Sequence, residues 1–129
     1  MRSRSAPAPN ARQSARIAKI KAIGCIACLR NIRNPRHRLR AAPSYPTAHH
    51  LNEGDHHGGR RLGHDETVCL CAWHHQGYAP DGYTADTSTL HFGPSWAVTP
   101  NAFREFYGDG DALLAAQNAI LRAFELSQC

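Results

Sequence analysis

Seven of the nine histidines fall in one stretch, AHHLNEGDHHGGRRLGHDETVCLCAWHHQG, residues 48–77, together with Cys69, Cys71 and the run Gly58-Gly59-Arg60-Arg61. Upstream lies Cys25-Ile26-Ala27-Cys28. Thiolates and imidazoles are ligands for transition metals, and imidazole also exchanges a proton near neutral pH. Cys25 and Cys28 form a C-x-x-C and Cys71 and His74 a C-x-x-H. Each short spacing lets two side chains converge on one ion, and two such pairs are how a tetrahedral structural zinc site is built. A lone C-x-x-C would read as a redox pair or as chance; the second pair, at the start of a helix, makes zinc the better reading. Cys69 competes with Cys71, because residues two apart on a strand share a face. Its spacing to His74 favours Cys71, and Cys129 is read as a bystander.

His75 follows His74 directly. Helical neighbours point about 100° apart, so if His74 faces the zinc, His75 faces elsewhere and is left for a second metal. His49 and His50 are its natural partners, one as a ligand and one as a base. Adjacent strand residues project to opposite faces, so both serve one centre only if the backbone departs from a regular strand there. His37, His56, His57 and His91 read as ordinary surface residues. Gly58 and Gly59 would let backbone amides approach an anion, and Arg60 and Arg61 can grip phosphate. Alone this run would read as a solvated turn, and its place between the two His clusters makes the two readings about even.

The elements that must position these groups are short. Ile17, Ile20 and Ile23 recur at helical spacing with Arg and Lys between them, which predicts a helix over residues 11–23 stopped by Gly24. CIAC reads as a tight knuckle, and residues 30–46, with Pro35, Pro43 and Pro46, as a surface loop. Thr47–Leu51 and Thr67–Leu70 read as partner strands around a Gly-, Asp- and His-rich loop, and Cys71–Gln76 as a short helix. Residues 78–98 read as irregular. Asn101–Tyr107 is expected to be a turn or two of helix. Ala112–Leu126 is expected to form the last helix, with a core stripe of Leu113, Leu114, Ile120, Leu121 and Phe124.

A chain of 129 residues with 8% aromatics supports one domain with a modest core, the kind that a bound metal often stabilises. The cysteine count is odd, and Met1–Pro9 has no apolar run of a secretory signal, so thiols bound to metal in a reducing cytosol are expected rather than disulfides. No stretch is apolar enough to span a membrane, and a cytoplasmic location is expected. Residues 1–40 hold eleven Lys and Arg and no acid (+11), whereas residues 41–129 hold four against ten acids (−6). The basic half suits a polyanion, most simply nucleic acid, with Arg12, Arg16, Lys19 and Lys21 as salt-sensitive contacts. Residues 1–14 are expected to be a disordered basic arm and residues 15–129 a single α+β domain.

GCIAC, AHHL, GGRRLGHD, LCAWHHQG, GPSW and FREFYG, from Gly24 to Gly108, together resemble the HNH or ββα-metal endonucleases, and more closely the RecA-dependent nucleases of phage recombination enhancement. GGRRLGHD with LCAWHHQG is the specific part. The resemblance implies a zinc-stabilised two-stranded hairpin and helix, packed among helices and long loops. It implies a DNA endonuclease that uses Mg2+ or another divalent cation and acts on DNA in a recombinase (RecA) filament. By position, His49 and His75 would hold the catalytic metal and His50 would be the general base. The sequence departs from the HNH pattern in two places. The usual Asn before L-C is absent, with His64, Asp65 and Glu66 there instead, so that His64 or Asp65 would orient His50. His74 replaces the usual last cysteine. The rival readings are a zinc-stabilised nucleic-acid-binding module without catalysis and a disulfide-bonded structural or toxin-like protein.

Overall fold

The computed structural model describes residues 8–51 and 66–127. Six α-helices and one antiparallel hairpin occur among them: α1 Ala11–Ile23, α2 Ile26–Arg33, β1 Pro46–His50, β2 Thr67–Cys71, α3 Ala72–Gln76, α4 Ala85–Phe92, α5 Pro100–Tyr107 and α6 Gly110–Ser127. The architecture is α+β, as the sequence predicts, and no described helix is long and apolar enough to cross a membrane.

α1 begins with a capping box. The Asn10 side chain accepts the Gln13 amide at 2.8 Å, and the Gln13 side chain accepts the Asn10 amide at 3.0 Å. The helix ends at Gly24, whose φ of +98° suits a residue without Cβ. Its fully buried residue is Ile20, and Arg16 turns inward to reach Thr67 and Asn118.

Two expectations are corrected. CIAC is no isolated knuckle followed by loop. Cys25 caps α2, its sulfur accepting the Cys28 amide at 3.4 Å, and the helix runs on to Arg33 before a 3-10 turn at Pro35–His37. The face bearing Ile26, Ala27, Cys28 and Asn31 is buried, and that burial carries the helix through its basic residues. Residues 78–98 are not irregular throughout. Thr84 and Thr87 form a capping box that starts α4, and Phe92 anchors its end in the core.

The hairpin registers Pro46 with Cys71, Ala48 with Cys69 and His50 with Thr67. Every residue of β2 is buried. The edge of β2 that faces away from β1 is covered by one side chain of α6: Gln117 Oε1 accepts the Cys69 amide at 2.7 Å, and Gln117 Nε2 donates to the Thr67 carbonyl at 2.9 Å. A primary amide thus takes the place of a third strand. α6 buries Leu113 and Gln117, with Leu114 and Ile120 partly covered, whereas Phe124 of the expected stripe stays 37% exposed. Trp73, Phe92, Phe103, Ile26, Val68 and Leu70 pack around the cysteine cluster as the core.

Candidate metal centre and histidine pair

Cys25 from the turn after α1, Cys28 from the first turn of α2, Cys71 from the end of β2 and His74 from α3 converge, with ligand atoms within 4.8 Å of one another and all four residues buried. His74 Nδ1 lies 3.5 Å from Cys25 Sγ, 3.6 Å from Cys28 Sγ and 3.2 Å from Cys71 Sγ, and Cys28 Sγ lies 3.9 Å from Cys71 Sγ. Sulfurs about 2.3 Å from a tetrahedral zinc stand about 3.8 Å apart, so the donor set fits that ion. Backbone amides of Cys28, Ala42 and His74 point at the sulfurs, as charged thiolates require.

The protonation of the cluster fits a cation too. Cys28 Sγ donates to Cys71 Sγ, and with Cys25 and Cys28 clustered around it the Cys71 thiol is held well below the usual range. Burial pushes the Cys25 thiol up. A divalent ion resolves the conflict by letting all three sulfurs ionise together. The rival Cys69 stands apart: it is fully buried, its thiol is pushed up to about 12 mainly by burial, and it behaves as a small apolar residue.

His74 is aimed by its other nitrogen. Nε2 donates to the Phe92 carbonyl at 2.7 Å, which leaves the Nδ1 lone pair for the metal. The same carbonyl receives Asn31 Nδ2 at 2.8 Å, and Tyr107 donates to Asn31 Oδ1 at 2.7 Å while lying 3.4 Å from His74 Nε2. The approach of Tyr107 is close: a Cβ at Gly93, φ +90°, would collide with its hydroxyl. Asn31, Tyr107 and Gly93 carry no ligand-type signal in the sequence, although Gly93 and Tyr107 belong to the GPSW and FREFYG motifs.

On the hairpin, the His49 and His75 rings are brought together, with centroids 4.8 Å apart at 67°, and Trp96 closes over His49 at 4.5 Å. Thr47, two residues before His49 and on its face, completes the arrangement. Its hydroxyl has one proton and places it on the Leu70 carbonyl at 2.7 Å, so at 2.6 Å it must accept from His75 Nδ1. That fixes the tautomer of His75, with Nε2 keeping its lone pair. Burial lowers the His75 pKa, which favours the neutral imidazole able to bind a cation or a proton. His50 is the last residue of β1 and registers with Thr67; strand alternation puts it on the opposite face from His49.

Among the proposed nucleic-acid contacts, Arg16 donates to Thr67 Oγ1 at 2.6 Å and to the Thr67 carbonyl at 3.1 Å, tying α1 to β2. Lys19 pairs with Glu125 at 2.8 Å. Arg12 and Lys21 are exposed on α1. Arg60, Arg61 and His64 lie outside the described residues.

A family model described as recombination enhancement, RecA-dependent nuclease, matches residues 9–122, and the chain belongs to that family. No curated protein and no solved structure matches it.

Proposed function

We propose that this member of the recombination-enhancement, RecA-dependent nuclease family hydrolyses phosphodiester bonds in DNA in the manner of the ββα-metal endonucleases. Its natural substrate is DNA held in a recombinase filament. The observation that carries the reading is the His49–His75 pair, with its rings 4.8 Å apart and the His75 tautomer set by Thr47.

His49 and His75 would hold a divalent cation, Mg2+ or another, which would supply charge stabilisation at the phosphate and the leaving oxygen. His75 presents Nε2 because Nδ1 is spent on Thr47. Trp96 packs on His49 and limits water on that side. His50 ends β1 on the face opposite His49. Its role as the base that takes the proton from the attacking water therefore requires the strand end to turn toward the metal when DNA binds, with His64 or Asp65 of the following segment orienting it. Arg60 and Arg61 grip flanking phosphates, and Arg12 and Lys21 add contacts without sequence preference.

The test is cleavage of labelled DNA with added divalent ion, with and without recombinase filaments. Wild-type protein should cut, and filaments should increase the rate. His50→Ala should retain the fold and DNA binding and lose roughly 10²–10⁴-fold in rate, the weight of a general base. His75→Ala should lose cleavage that high metal partly restores. Unchanged cleavage in both variants would remove the catalytic reading and leave a zinc-stabilised nucleic-acid-binding module.

A further inference from the structure

A cavity of about 540 Å³ opens between α2, α5 and α6, lined by Ala119 and Ile120 of α6, Phe106 of α5, and the exposed Arg30, Arg33 and His37. Among the described residues, no Asp or Glu lines it. Phe106 is 38% exposed and meets His37 with ring centroids 4.8 Å apart.

Arg30 and Arg33, like Arg36 and Arg38 beyond them, differ from several other cations of the basic half of the chain, and of these four only Arg30 and Arg33 line the cavity. Arg16 is spent on Thr67, Lys19 on Glu125, and Arg40 on His91 and Tyr83. Arg30 and Arg33 are exposed in the last turn of α2 and make no side-chain hydrogen bond or ion pair among the described residues. Two unspent guanidiniums over an apolar concavity are complementary to an anionic segment that also carries large apolar side chains. The chain's own residues 1–7 do not match, since they hold Arg2 and Arg4 and no acid. A DNA backbone matches the arginines alone, because phosphates gain nothing against the apolar side chains of the cavity.

We propose that the α2–α5–α6 groove docks an acidic peptide segment of a protein partner, seating one or two bulky apolar side chains against Ala119, Ile120 and Phe106 while Arg30 and Arg33 bind its carboxylates. The inference rests on the chain working with a protein partner, as its family description implies. It does not require the hairpin to cut DNA. A failure here therefore leaves the cleavage test standing, and a failure of cleavage leaves this one standing.

The experiment uses the full chain and a short fluorescein-labelled peptide of Glu and Asp carrying one Phe and one Leu, read by fluorescence anisotropy. Saturable binding is expected, weakened about tenfold or more by Arg30→Glu with Arg33→Glu. Ala119→Trp, which fills the groove from an exposed position, should abolish it while leaving circular dichroism and zinc content unchanged. Asn31 and Tyr107, at the inner end, are left intact because they serve His74. Equal binding by Ala119→Trp, or by a peptide with Ser for Phe and Leu, would overturn the proposal in favour of plain charge attraction. A short DNA duplex whose own affinity falls with Ala119→Trp would overturn it in favour of a nucleic-acid surface.

Discussion

Cys28 shows how far a single residue can govern this fold. Its sulfur meets the His74 ring and the Cys71 sulfur, accepts the Ala42 amide at 3.3 Å, and sits in the first turn of α2. A structural zinc contributes roughly 10 kcal/mol or more of apparent binding energy, so Cys28→Ser should lose the ion and unfold or grossly destabilise the domain. A Cys28→Ser protein with native melting temperature and one zinc per chain would contradict the assignment. Thr47 supports a finer expectation. Thr47→Val keeps the shape but removes the acceptor that holds His75 Nδ1–H. The divalent-ion concentration for half-maximal cleavage should rise about 10–100-fold, the usual weight of a hydrogen bond that orients a ligand, while zinc content stays fixed. An unchanged metal dependence would mean that His75 is oriented by something else.

At the scale of elements, the chemistry was more legible than the packing. The C-x-x-C and C-x-x-H spacings located the cluster because ligand geometry is local, and hydrophobic period located α1 and α6 because each buries one face. α4 escaped because ADTSTLHF has no apolar stripe: Ser88 and Phe92 are its buried residues, and its start is marked only by the Thr84–Thr87 box. The length of α2 escaped because basic residues and Pro35 read as loop, whereas Asn31 is buried to serve the Phe92 and Arg40 carbonyls. Gln117 was hidden most completely, since a polar residue on an apolar helix face reads as solvent-facing. Its amide accepts the Cys69 N–H and shares the Thr67 carbonyl with Arg16. Gln117→Leu keeps the volume and strands the buried Cys69 N–H, while the Thr67 carbonyl keeps its bond from Arg16. It should cost about 1–3 kcal/mol and lower the melting temperature by about 4 °C or more. A shift within a degree of wild type would mean that water or a backbone adjustment replaces the amide.

Across the whole molecule, the +11 of residues 1–40 does not act as one patch. Part is built into the fold through Arg16, part is paired across the surface through Lys19, and part lines the α2–α5–α6 groove. These shares separate experimentally. Removing residues 1–9 deletes Arg2 and Arg4 but keeps Asn10, which caps α1. Affinity for duplex DNA should fall, and the slope of log K against log salt should flatten by about 2, near 0.9 per lost phosphate contact, with the melting temperature unchanged. Arg16→Ala should behave in the opposite way. It leaves Thr67 Oγ1 and Asn118 without their guanidinium, so it should lower stability by about 1–3 kcal/mol and move the salt slope by less than the arm deletion does. If Arg16→Ala instead flattened the slope at full stability, the guanidinium would belong to the DNA surface and its hold on Thr67 would be secondary. If both changes left the slope alone, the polyanion partner would have to be engaged by Arg12, Lys21 and the segment holding Arg60 and Arg61.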